Sequence, residues 1–188
     1  MGLIGPITLR VRDGAEVTLA SATEADAPDV LAFRNLLSTT ADFIATAPGE
    51  VDPDVELQKK QIREFREKPG GLLALARYEG IVVGAMSMNV PVKRRLAHAV
   101  EFGMGMSPAW RGRGLGTLFM ERMVAWAREN PAILKVTLGV IPDNAHALRL
   151  YTKFGFVEEA RQKRQFRDDR GNLLDHVMMG LWVGDQPG

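Results

Sequence analysis

Arg111-Gly112-Arg113-Gly114-Leu115-Gly116 places two arginines among three glycines, between an apolar stretch (Val100 to Met106) and a helix-patterned one (Leu115 to Glu129). These residue types in this order can hold phosphate. Glycines let the backbone approach a ligand closely and turn its N–H groups inward. Unpaired amides and the positive dipole end at a helix start favour an anion. The arginines add charge-assisted donors.

The surrounding pattern indicates what must position this loop. Ile7 to Val11 and Glu16 to Ala20 flank the turn pair Asp13-Gly14 and read as a hairpin. Ser21 or Thr23 caps a first helix running through Leu37, with Thr23 and Asp26 as a capping pair. Asp54 caps a second helix over Val55 to Lys68, stopped by Pro69-Gly70-Gly71. Strands follow at Leu72 to Arg77, Ile81 to Asn89 and Ala97 to Met106. The glycine-opened helix repeats Leu115, Phe119, Met123 and Trp126 on one face and ends at Asn130-Pro131. Leu134 to Ile141 reads as a buried strand. Asp143 or Asn144 starts a short helix ending at Phe154 with Gly155 as a left-handed cap, and strands over Val157 to Phe166 and Leu174 to Val183 close the chain. This order predicts an α/β (α+β) fold: about seven mostly antiparallel strands flanked by about four helices, in one domain over residues 6–183.

Composition narrows the functions. Apolar residues make up 46% of the chain and the formal net charge is +1, which gives no global attraction to nucleic acid or an anionic membrane. The absence of cysteine excludes disulfides, thiolate metal sites and a thiol nucleophile. No histidine pair has metal-ligand spacing, so no metal is expected. Met1-Gly2 would suit myristoylation, but Pro6 stands where Ser or Thr is wanted. With no signal-peptide pattern and no span-length apolar run, a cytoplasmic protein is expected.

Three phosphate motifs fail. A Walker loop needs Gly-Lys-Ser/Thr, and Gly116 is followed by Thr117-Leu118. The dinucleotide fingerprint needs G-x-G-x-x-G, and a kinase loop needs HRD and DFG partners. Arg111, Gly114 and Gly116 instead match Arg/Gln-x-x-Gly-x-Gly/Ala. This resembles the acetyl-CoA pyrophosphate loop of the GNAT superfamily of N-acetyltransferases. The strand closing at Ser107-Pro108 and the run Asn144-Ala145-His146-Ala147-Leu148-Arg149-Leu150-Tyr151-Thr152-Lys153-Phe154-Gly155-Phe156 extend the resemblance. It is strong from Glu101 to Phe156 and weak before Leu72.

The resemblance implies acetyl transfer from acetyl-CoA, as co-substrate, to a primary amine of a small molecule or of a peptide or protein N-terminus. Attack would be direct, within a ternary complex. The alternative is a catalytically weak acyl-CoA sensor or scaffold. Main-chain groups of Met104, Gly105 and Met106 would pair with the pantetheine arm. Amides of Gly112, Arg113, Gly114, Leu115, Gly116 and Thr117 would hold the pyrophosphate, with Arg111 opening the motif. Asn144 would orient the pantetheine amide or the substrate, besides capping its helix. Tyr151 would protonate the departing thiolate, a task suited to a neutral donor with a pKa near 10.

Several relatives carry a Glu five residues before the Asn, and here that position is Gly139. Glu101 becomes the best base, directly or through water; His98, His146 and His176 are weaker candidates. An α-amine is neutral in roughly a tenth of molecules at pH 7, against about one in 2,500 for a lysine-like amine, so a missing Glu suits an α-amine. Conversely Asp42, Glu50, Asp52, Asp54 and Glu56, with no base between Arg34 and Lys59, would give an acidic rim attractive to an ammonium. Free amino acids, N-termini, polyamines and amine-bearing antibiotics all fit as acceptors. The last strands offer an edge for homodimer pairing.

Overall fold

A computed structural model of the chain describes residues 3–184, so Met1 and Gly2 lie outside it. The N-terminal hairpin forms as β1 (Ile7–Arg10) and β2 (Glu16–Ser21). Its turn has Gly14 at φ 87°, and Ala15 N–H donates to the Asp13 carboxylate at 3.2 Å. Thr23 N–H and hydroxyl both donate to Asp26, fixing the entry to α1 (Ala27–Thr40). α2 (Val55–Glu67) starts at Asp54, whose side chain accepts from Glu56 and Leu57 amides. Then come β3 (Leu72–Tyr78), β4 (Ile81–Asn89), β5 (Ala99–Met106), α3 (Leu115–Glu129), β6 (Lys135–Val140), α4 (Ala145–Lys153), β7 (Val157–Arg167) and β8 (Leu173–Trp182).

The strands form one sheet in the order β1-β2-β3-β4-β5-β6-β8-β7. It has eight strands rather than about seven, because the short β1 pairs with β2 from Ile7–Leu19 to Arg10–Glu16 and continues the sheet outward. Only β5 and β6 run parallel, since α3 connects them and returns the chain to the same end.

Strand alternation assigns the two faces. On one, Val100, Phe102, Leu138 and Val177 join Leu115, Phe119 and Met123 of α3 in the main core. Gly84 lies under the Phe119 ring, where a side chain would collide. On the other, Val30 of α1, Ile62 of α2 and Leu75 of β3 form a smaller cluster. Leu37 of α1 fills the space above Gly105 of β5. No helix among the described residues is long and apolar enough to cross a membrane.

Candidate active site

β5 and β6 pair only at Ala99–Lys135, Val100–Val136 and Glu101–Thr137. Beyond those pairs the strands separate, opening a gap in the middle of the sheet. Ser107 N–H donates to Val83 O on β4 at 3.0 Å. By alternation the main-chain groups of Gly103 and Gly105 also face β4, while those of Met104 and Met106 face the gap. A strand edge is thus presented inside the sheet, with Met106 O reached, among the described residues, only by the Arg111 side chain.

The glycine loop stands at the end of this gap. Gly112 and Gly114 have φ of 72° and 90°, a region that favours glycine. Among the described residues the N–H groups of Gly112 to Gly116 find no acceptor, whereas Arg111 N–H donates to Pro108 O. Thr117 does not belong to this row: its N–H donates to Gly114 O at 3.0 Å and closes the first turn of α3.

The two arginine side chains are held by protein. Arg113 Nε donates to Asp13 at 2.5 Å, and its guanidinium lies 3.9 Å from the centre of the Trp110 ring. Arg12 N–H donates to Arg113 O, so the loop is docked on the β1–β2 hairpin by side chain and main chain. Asp13 is held below the ordinary carboxylate range, first by the Arg113 hydrogen bond and then by the Ala15 amide. Arg111 Nη2 donates to Thr40 O at 2.9 Å, capping the end of α1, and its Nε reaches Met106 O at 3.4 Å. In this structure the arginines anchor the loop, and its amides from Gly112 to Gly116 are left without an acceptor among the described residues.

β6 leads directly into α4, where Asn144 Oδ1 accepts from Ala147 N–H at 3.2 Å. Leu150 packs beside Gly116, which places α4 against the start of α3. Tyr151 is buried beside Phe156, with ring centres 6.1 Å apart. Burial pushes its phenol up to about 12. Met106 and Tyr151 thus belong to the α3–α4 side of the sheet.

Glu101 belongs to the other face, with Gly103 and Gly105, and is exposed beside Asn89 of β4. No hydrogen bond or ion pair engages its carboxylate among the described residues. A cavity of about 640 Å³ opens on this face between α1, α2 and strands β3 to β5, with Gly103 and Gly105 in its floor. Gly139 also lies on this face, and a side chain there would fall on the ring of His176 from β8. His176 is fixed by Nδ1 against Gln162 Oε1 at 3.2 Å. His146 is exposed on α4, and His98 lies just before β5, where its carbonyl accepts from Leu134 and Lys135.

In the acidic stretch four of the five carboxylates have local partners, and Asp42 has none among the described residues. Asp54 caps α2, Asp52 accepts from Asp54 N–H, Glu50 accepts from Ala47 N–H, and Glu56 pairs with Lys59 at 2.8 Å. Their oxygens satisfy local donors at a helix start, where acidic residues are favoured.

The model of the acetyltransferase (GNAT) family matches residues 34–156. The chain belongs to that family, and is an N-acetyltransferase. It is 26% identical over 134 residues to an L-amino acid N-acetyltransferase of Escherichia coli, covering 66% of this chain and 83% of that protein. A GNAT-family acetyltransferase from Streptococcus pneumoniae superposes with a TM-score of 0.84 at 24% identity, covering 89% of this chain and 99% of its own. The structure of yncA from Salmonella typhimurium with its cofactor acetyl-CoA gives 0.78 at 22% identity, covering 92% and 96%. These structural likenesses speak to the fold.

Proposed function

We propose that the protein transfers the acetyl group of acetyl-CoA to a primary amine of a small molecule or N-terminus, by direct attack in a ternary complex. One observation carries this reading: the free amides of Gly112 to Gly116 meet the gap-facing main chain of Met104 and Met106 at one opening in the sheet. The residues fit the ligand. A row of amides at a helix start suits a pyrophosphate, and an unpaired strand edge suits an amide-bearing arm. The acetyl-CoA-bound relative supports the same choice of donor.

Acetyl-CoA supplies an activated acyl group; the protein supplies position and protons. The Met106 amide, facing the gap, donates a hydrogen bond to the thioester carbonyl, where negative charge develops. Asn144 offers its side-chain amide to the pantetheine or acceptor. Glu101 takes the proton of the incoming ammonium, directly or through water, from the face that carries the cavity. Tyr151 donates its phenolic proton to the leaving sulfur from the opposite face. Burial that keeps the phenol neutral suits that role.

Thermal shift with CoA and acetyl-CoA, followed by labelled acetyl transfer over a panel of amines, tests the reading. Stabilisation by both ligands and acetylation of at least one amine are expected, with Glu101→Gln slower at neutral pH. No thermal shift at millimolar ligand would remove the donor assignment. Tight CoA binding with no transfer to any amine would make the fold an acyl-CoA sensor or scaffold.

A further inference from the structure

Arg34 of α1 lines the cavity on the acceptor face, one helical turn before the Leu37 that covers Gly105. Its Nη1 donates to Gln58 Oε1 at 3.0 Å and reaches Gln61 Oε1 at 3.4 Å, both on α2. Its Nε and Nη2 find no acceptor among the described residues. That edge is the one on which guanidinium holds a carboxylate by two parallel hydrogen bonds. This protein uses it so elsewhere. Arg63 grips Glu24 through Nε and Nη2 at 3.0 and 2.7 Å, and Arg161 grips Glu158 at 3.0 and 2.8 Å. At Arg34 the same edge is left open.

Gln58 supplies a second donor. It is only 3% exposed and also lines the cavity. A guanidinium only donates, so Arg34 fixes which end of the amide is oxygen. The Gln58 Nε2 then has no protein acceptor among the described residues and is free to donate into the cavity. The other charges in the cavity wall, Glu64 and Lys68, pair with each other at 3.3 Å. Arg34 is therefore the cavity's charge without an ionic partner, and Gln58 offers a neutral donor beside it.

We infer that Arg34 and Gln58 form an anion subsite that holds the carboxylate of the acceptor, so that the acceptor is a small amino acid rather than a plain amine. This rests on the acetyl-transfer reading of the same site. Three residues at about 1.5 Å rise each separate Arg34 from Leu37 by about 4.5 Å along α1. With its carboxylate at Arg34, a single amino acid lies over the sheet near Gly103 and Gly105, within the same cavity as its apolar walls Phe33, Leu73 and Leu75. The subsite also accounts for the direction of specificity. None of the carboxylates of the 42–56 region lines the cavity, whose wall carries Arg34 and the Glu64–Lys68 pair.

Calorimetry in the presence of saturating CoA tests this without relying on turnover. Glycine, L-leucine and L-tyrosine are titrated beside their carboxamides, into the wild type, Arg34→Met and Gln58→Leu. At least one acid is expected to bind the wild type about tenfold more tightly than its carboxamide, a difference typical of a charge-assisted pair. Arg34→Met should abolish that preference and leave CoA affinity unchanged; Gln58→Leu should reduce it. Arg34→Lys should restore part of it. Equal binding of acid and carboxamide, no binding of any acid, or a preference that survives in Arg34→Met overturns the subsite. Discrimination without acetyl transfer would leave the subsite standing and remove the transferase reading instead.

Discussion

The imidazole of His176 lies over the Cα of Gly139, in the space that a side chain at that position would need. β6 pairs Gly139 with Met178, so His176 is its diagonal neighbour across the β6–β8 ladder. A Glu at position 139 could not share this arrangement, because its side-chain stem and the ring would occupy one volume. Gly139 and His176 are sterically coupled.

The coupling gives a change of sign. Gly139→Ala should destabilise the wild type by about 1 kcal/mol, because the ring must swing off and lose Gln162. In a His176→Ala background the same change should stabilise by about 0.4–1 kcal/mol, since alanine reduces the freedom of the unfolded chain. Urea denaturation of the four proteins measures both values. Equal effects in the two backgrounds would show that the ring does not depend on the missing side chain.

Tyr151→Phe is expected to lower kcat by about 10²–10⁴-fold, the usual worth of a positioned general acid, with little change in acetyl-CoA binding. The phenol is pushed up to about 12 by burial, so activity should show no loss through Tyr151 ionisation up to about pH 10. The same shift has a stability consequence. A raised folded pKa leaves stability intact below the unfolded value near 10, and stability is lost as pH rises from there through the folded one. Tyr151→Phe should therefore be more resistant to alkaline unfolding than the wild type. A kcat within a few-fold of wild type would make Tyr151 a core aromatic.

The elements that carry local signals were legible in the sequence. Asp54 and Asn144 cap their helices, and Gly155 adopts φ 89° after α4. The glycine loop was legible as a row of unpaired amides, because such amides at a helix start follow from chain order. What was not legible depends on pairing across the sheet or between helices. Arg113 looked like a ligand donor, yet it is 100 residues from the Asp13 that holds it. The amide contacts of Glu50 and Asp52 become fixed only once the backbone has turned. His176 gains meaning only because β8 lies beside β6, and Arg34 only because α2 presents Gln58 and Gln61 to it.

The Asp13–Arg113 pair should give the loop an acid-sensitive anchor. A depressed carboxylate contributes stability above its unfolded pKa and loses it as pH falls through the folded one. The wild type should therefore melt higher than Asp13→Asn at pH 7, and the two should converge as pH drops below about 4. Differential scanning calorimetry across that range checks it. A gap that persists in acid would mean that the anchor is not the ion pair.

Gly114 connects loop geometry to ligand affinity. It sits at φ 90°, and a Cβ there would stand 3.1 Å from the Arg12 side chain. Gly114→Ala must either strain the backbone, at about 1–2 kcal/mol, or shift the loop away from the hairpin. Either response turns the amides of Gly112 to Gly116 out of line. The KM for acetyl-CoA should rise about tenfold or more while kcat at saturation changes little, because the lost contacts act on bound donor and transition state alike. Gly112→Ala is the informative partner. Its Cβ meets nothing within 4 Å, so only the strain of φ 72° opposes it and not a collision with the hairpin. The Gly114 variant should therefore lose more acetyl-CoA affinity than the Gly112 variant. The reverse order would indicate that open space for the ligand over Gly112 matters more than docking of the loop on Arg12.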